Sequence, residues 1–185
     1  VGWAGSASEH IWSPVDIVRR AGRHEVAMPP CTERLDAFIA RRAGSPLTDG
    51  EQITIAISLL RGMAALVATG QARCAGSWWL TESGRPVFAG DAHGEPAGVA
   101  SRTLLLSLAG NAPRLCSLLT DAADVVTESE QFARVHPGLE DRLFAVGLPA
   151  PLATSVLALS GGVDVSARPM AARHDTIPTD QPRGL

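Results

Sequence analysis

The sequence has no lysine and no tyrosine, and all 16 of its basic residues are arginine. Without a lysine amine, the 185-residue chain can form no Schiff base and no lysine clamp on a phosphate. Arginine in place of lysine, with abundant alanine and glycine, carries the codon bias of a GC-rich genome. Cysteine is scarce. Cys31, Cys74 and Cys116 form no CxxC pair and no even disulfide set, so reduced thiols and a cytoplasmic location are expected. No apolar run reaches the length of a membrane span, and residues 1–15 lack the charged-then-apolar order of a signal peptide. No basic stretch stands out and the net charge is -3, which argues against nonspecific nucleic-acid binding. The first residue is Val rather than Met, as in a fragment or a GTG start codon translated literally.

What is present is an ordinary globular composition. Hydrophobic residues make up 45% of the chain, enough for one domain with a real core. After a small, Gly/Ser-rich start, "HIWSPVDIVRR" and "HEVAMPPC" flank the turn "AGR" and predict a hairpin. Pro29 and Pro30 stop its second strand, because proline has no N–H for the ladder. "TERLDAFIARRAG" predicts a short amphipathic helix with Leu35, Phe38 and Ile39 on one face. In "LTDGEQITIAISLLRGMAALVATG", Thr48 and Glu51 stand at capping-box spacing. Ile53, Ile57, Leu60, Ala64 and Val67 follow as one stripe, and Gly70 ends the helix. "SWWLT" and "RPVFAG" predict a second hairpin around "ESG", and "DAHGEPAGVAS" a loop. "RTLLLSLAG", "PRLCSLLTDAADVV", "LEDRLFAVG" and "PLATSVLALSGG" predict further helices. From Val163 the periodicity is lost, which predicts a flexible tail.

This order of elements resembles a protein kinase from the middle of its small lobe through part of its large lobe. The stretch at 47–70 resembles the long helix that runs into the catalytic loop of bacterial Ser/Thr-kinase-like proteins. "LTESGRPVFAG" resembles the strands that follow that loop and lead to the metal-binding segment. The resemblance spans roughly residues 9–110 and implies an α+β fold. Residues 1–30 would be a hairpin remnant of the small lobe, 31–162 a mainly helical large lobe and 163–185 a flexible tail. It also implies that "SWWLT" and "RPVFAG" pair beside the C-terminal end of the long helix; a helical segment there would remove it.

An active kinase needs an Asp to orient the substrate hydroxyl and an Asn for a metal ion. Here the corresponding interval reads "QARCAGS", with Arg73 where the family has His and Ser77 closing the loop, and with no Asp or Asn. Gly90 falls on the position of the family's metal-binding Asp, and Asp91 comes one place late. The chain has no GxGxxG. The resemblance therefore implies a degenerate, pseudokinase-like chain: not an enzyme, with no catalytic residue, metal or cofactor. It would act through an unidentified protein partner or in regulation, with no nucleic acid and no membrane involved. Ile11 and Val15 of the first hairpin are the candidate contacts. The alternative is a divergent nucleotide-binding protein, or a truncated kinase whose ATP-binding part lies upstream. An unrelated helical domain competes with both.

Three local features admit a chemical reading beside a structural one. Asp91, His93 and Glu95 alternate like metal ligands, but in a glycine-rich loop polar residues are ordinarily just solvated. Cys74 stands next to Arg73, which favours a thiolate, yet no histidine is near in sequence; an inert thiol is the commoner outcome. Adjacent Trp78 and Trp79 must face opposite sides of a strand, both of them covered within the fold or one left as an anchor. His10, His24, His136 and His174 are isolated, and there is no GxSxG.

Overall fold

Thr48 starts the central helix, α2 (Asp49–Ala68), through a complete capping box: its hydroxyl accepts from the Glu51 amide at 3.3 Å, while the Glu51 carboxylate accepts from the Thr48 amide at 2.9 Å. The computed structural model describes residues 8–154. Among these residues five α-helices and two small sheets make up an α+β fold in this order: β1 (Asp16–Arg20), β2 (Arg23–Ala27), β3 (Cys31–Arg34), α1 (Leu35–Arg41), α2, β4 (Ala75–Thr81), β5 (Pro86–Gly90), β6 (Glu95–Pro96), α3 (Ala97–Ala109), α4 (Cys116–Val125) and α5 (Ser129–Val146).

β4 and β5 pair antiparallel, with Trp78 opposite Phe88. β3 and β6 share the other edge of β4, end to end. The far edge of β5 receives residues 10–12: the Phe88 amide donates to the His10 carbonyl at 2.8 Å and the Trp12 amide to the Phe88 carbonyl at 2.9 Å. On β4 every second residue is buried, so Trp78 enters the core and Trp79 lies half-buried on the other face. Trp78 meets Phe88 edge to face at 5.6 Å between ring centroids. α2 lies against β5, α3 and α5 and supplies much of the core, including Ile53, Leu59, Leu60, Met63 and Leu66. By length and a mean hydropathy of 1.4, α2 is apolar enough to cross a membrane, which a run-by-run reading misses because polar residues interrupt it. Its most apolar stretch is 67% buried within the domain, as a core helix must be.

Several expectations shift. The first hairpin is shorter than its sequence suggests, because Ser13 and Pro14 break the chain ahead of β1. Its turn holds Ala21 and Gly22 at φ of 48° and 77°, the two-residue turn whose twist suits a hairpin. Residues 32–34, placed in a helix by sequence, join Cys31 in β3 because β4 offers an open edge. The expected loop at 91–101 gives way after a tight turn to β6 and to α3, whose Ala97 and Ser101 are buried. α5 begins ten residues before its expected start at Leu139 and runs through Pro137. Phe132, Leu139 and Leu143 form one buried stripe across the proline, and that burial outweighs a break that costs about 3 kcal/mol. Residues 151–153 are not helical; the rest of the helix expected there, and the tail from Val163, lie outside the described residues.

Candidate functional site

After β5 the chain must return across β4, and glycines permit the crossing. A Cβ on Gly94 would come within 2.5–2.6 Å of the Gly76 backbone, and one on Gly76 would strike the Ala89 carbonyl and the Phe88 ring. This close approach sets β6 beside the start of β4. Between them, the end of β3, α1 and α3 lies a cavity of about 270 Å³. Arg34, Asp36, Ser77, His93, Glu95 and Thr103 supply its polar lining.

Arg34 holds Asp36 through both guanidinium positions, at 3.0 and 2.9 Å. Burial pushes the Asp36 carboxyl up, but the Arg34 bonds and the Ala37 amide outweigh it, and the carboxyl ends below its ordinary range. The Arg34 guanidinium is raised, first by its bond to Asp36 and further by the fields of Asp91 and Glu95. The cleft thus pairs its one arginine with the Asp36 carboxylate and carries a second carboxylate, Glu95, on its lining.

Of the residues singled out from the sequence, Ser77 lines this cleft, half-buried on β4. Arg73 is exposed in the short connection at 69–74 and Gly90 is exposed at the end of β5; neither belongs to the lining. Asp91 is exposed and closes its own turn: its Oδ1 accepts from the His93 amide at 2.9 Å and lies 3.5 Å from the His93 ring. That amide bond, the largest cause, holds the Asp91 carboxyl below its ordinary range. Asp91, His93 and Glu95 do not converge, since Glu95 is drawn into pairing with Gly76; among the described residues no three metal-ligating side chains gather. At Cys74 burial pushes the thiol up and the neighbouring Arg73 is exposed, which favours the inert thiol over the thiolate.

Ile11 is also corrected. It is only 4% exposed, bridges to Phe88 and belongs to the core, so it is no surface contact. Val15 is exposed, as a contact residue must be. The sequence reading missed its companions: Ile17 and Val26 stand opposite each other and share one face of the hairpin with Val15, with exposures of 50%, 53% and 66%. The opposite face carries Asp16, Val18, Arg20, Arg23 and Glu25. Alternation along "VDIVRR" was the available signal. No helix or third strand among the described residues packs extensively on this hairpin.

No known family model matches the chain, and no curated protein is significantly similar to it in sequence.

Proposed function

We propose that the chain is a non-catalytic, kinase-like scaffold that works by binding another protein through the β1–β2 hairpin. The observation that carries this reading is the uncovered apolar face of Val15, Ile17 and Val26. A two-stranded hairpin alone in water is marginal, and three or more strands or a covering helix normally sustain one. A hairpin held out with its apolar face open is suited to acquiring that cover from a partner.

Support for the kinase-like part comes from the β4–β5 hairpin, which follows the long helix and abuts it: Trp78 packs on Gly62 in the second half of α2. Support for the absence of phosphoryl transfer comes from the connection at 69–74, a tight turn in which the Cys74 amide donates to the Gln71 carbonyl at 3.0 Å. It contains neither Asp nor Asn, so no carboxylate can orient a hydroxyl there.

Two measurements test the two halves of the proposal. Thermal unfolding with and without ATP and magnesium should give the same midpoint; a nucleotide at a hundred times its dissociation constant would add about 2.7 kcal/mol. A magnesium-dependent rise would support the nucleotide-binding alternative and end the scaffold reading. Ile17→Asp should leave the melting midpoint within about 1–2 °C of wild type, since an exposed site contributes little to folding. The same variant should lose the proteins that the wild-type chain captures from its source lysate. Undiminished capture by Ile17→Asp would remove the hairpin from consideration.

A further inference from the structure

β1 ends the small sheet, and among the described residues its outer edge is unpaired. The turn fixes which groups that edge presents. A two-residue turn closes on a hydrogen-bonded pair, here Arg20 with Arg23, and hydrogen-bonded and open pairs then alternate. Val18 and Asp16 therefore spend their peptide groups on β2, while those of Ile17 and Arg19 point outward. Such an edge is a template for a further strand.

We infer that the strand that completes this edge is β1 of a second copy of the chain, paired antiparallel about Val18. This inference rests on the reading of the hairpin as a contact surface and names the partner. The argument is one of charge and register. Centring the pair on Val18 sets the outward peptide groups of Ile17 against those of the partner's Arg19, as the ladder requires. The same register uses the whole of Asp16–Arg20 and places Asp16 opposite the partner's Arg20, twice by symmetry. Among the described residues Asp16 forms no ion pair; its carboxylate caps the outward Ile17 amide at 2.7 Å, so pairing exchanges that bond for the Arg19 carbonyl of the second copy and turns Asp16 toward that copy's Arg20. Arg20 is held loosely, 3.8 Å from Glu25 and well exposed. Ile17 then lies beside the aliphatic stem of the partner's Arg19, which covers part of the open apolar face.

On the β1 edge the competing registers are poorer. Pairing about Arg19 would oppose two guanidinium groups, and pairing about Ile17 would leave Asp16 opposite Val18 with no ion pair made. On the β2 edge, pairing about Glu25 would oppose two carboxylates, and pairing about His24 would run into the turn at Gly22.

The test is light scattering and sedimentation of the full 185-residue chain over a range of concentrations at low ionic strength, where exposed ion pairs are least screened. The wild type should reach twice its 19.3 kDa mass. Asp16→Arg and Arg20→Asp should each raise the dimer dissociation constant roughly tenfold, because each sets like charges opposite one another twice. The double variant Asp16→Arg/Arg20→Asp should return it close to the wild-type value, with melting midpoints of all forms alike. A wild type that stays monomeric overturns the inference, as does a dimer indifferent to the single reversals or one that the double reversal fails to restore. These outcomes are separable from failure of the broader reading: a monomeric chain whose other protein contacts are still lost in Ile17→Asp keeps the hairpin as a contact surface and gives it a different partner.

Discussion

Replacing Glu51 by Gln should lower the stability of the fold by about 3–5 kcal/mol at neutral pH, a large share of the roughly 5–15 kcal/mol that holds a domain together. The reason is that the capping glutamate of α2 serves a second purpose. Its carboxylate also accepts from Arg42 Nη1 at 3.0 Å, from Arg42 Nη2 at 3.3 Å and from the Ala153 amide at 3.0 Å. Arg42 in turn donates to the carbonyls of Ser45 and Ala153. Both side chains are buried. One ion pair therefore fastens the turn after α1, the first turn of α2 and the segment at 148–154. Glutamine keeps the shape but leaves the Arg42 charge buried and unpaired. Replacing both partners, as in Arg42→Met/Glu51→Leu, should cost less than the single change, because no lone charge remains.

The same pair predicts an acid limb. Burial pushes the Glu51 carboxyl up, but the Arg42 bond and the amides of Ala153 and Thr48 outweigh it and hold it at about 2, against an ordinary 4.5. A carboxyl depressed on folding stabilises the fold at pH values above its unfolded value. That contribution, about 3 kcal/mol, is lost as the pH falls from about 4.5 through about 2. Denaturant titrations of wild type and Glu51→Gln at pH 7, 4 and 3 should converge as the acid removes from the wild type what the substitution has already removed. A gap that stays constant with pH would mean that the pair contributes through packing rather than charge.

The capping box itself was legible in the sequence, because Thr48 and Glu51 lie one helical turn apart and the pattern is local. The ion pair was not, because Arg42 and Glu51 meet only after the chain turns between α1 and α2. The same division holds elsewhere. The β4–β5 pairing follows from a short turn between two strand-forming runs. The assignment of residues 31–34 to a strand depends on a β4 edge more than forty positions away. Pro137 and Gly138 read locally as a break, yet the buried stripe of Phe132, Leu139 and Leu143 continues past them. At the candidate site, Ser77 could be placed at the start of the strand because "SWWLT" reads as one strand-forming run. The cleft it lines depends on Gly76 and Gly94 touching backbone to backbone, and nothing in their spacing announces that. Ile11 failed as a surface residue for a related reason: a residue just ahead of a hairpin was read as part of it, whereas it completes the far edge of β5.

The second large effect concerns the contact that seats the β4–β5 hairpin on α2. Trp78 is buried, donates its indole N–H to the Ser101 hydroxyl at 3.0 Å and lies directly against Gly62. Ser101 in turn donates its hydroxyl to the Ala97 carbonyl at 2.8 Å, so the indole also ties β4 to the first turns of α3. Trp78→Ala should cost about 3–5 kcal/mol, the usual penalty for emptying so large a site. Gly62 discriminates between a specific lock and general burial. In the interior of a helix, Gly→Ala should gain about 1 kcal/mol from backbone propensity. Here a methyl group at position 62 would collide with the six-membered ring of Trp78 and stand 3.3 Å from the His10 Cβ. Gly62→Ala alone should therefore destabilise by about 1–3 kcal/mol, the range for overpacking a filled core. In a Trp78→Phe background the shorter ring vacates the space, so the same substitution should become neutral or stabilising. A double-mutant cycle read by denaturant unfolding measures this coupling. Additive costs would mean that α2 and the hairpin adjust independently and that Gly62 is not the seat of the indole. A coupling of the predicted sign would identify the Gly62–Trp78 contact as what fixes the strand carrying Ser77, and with it the floor of the cleft, against the helix.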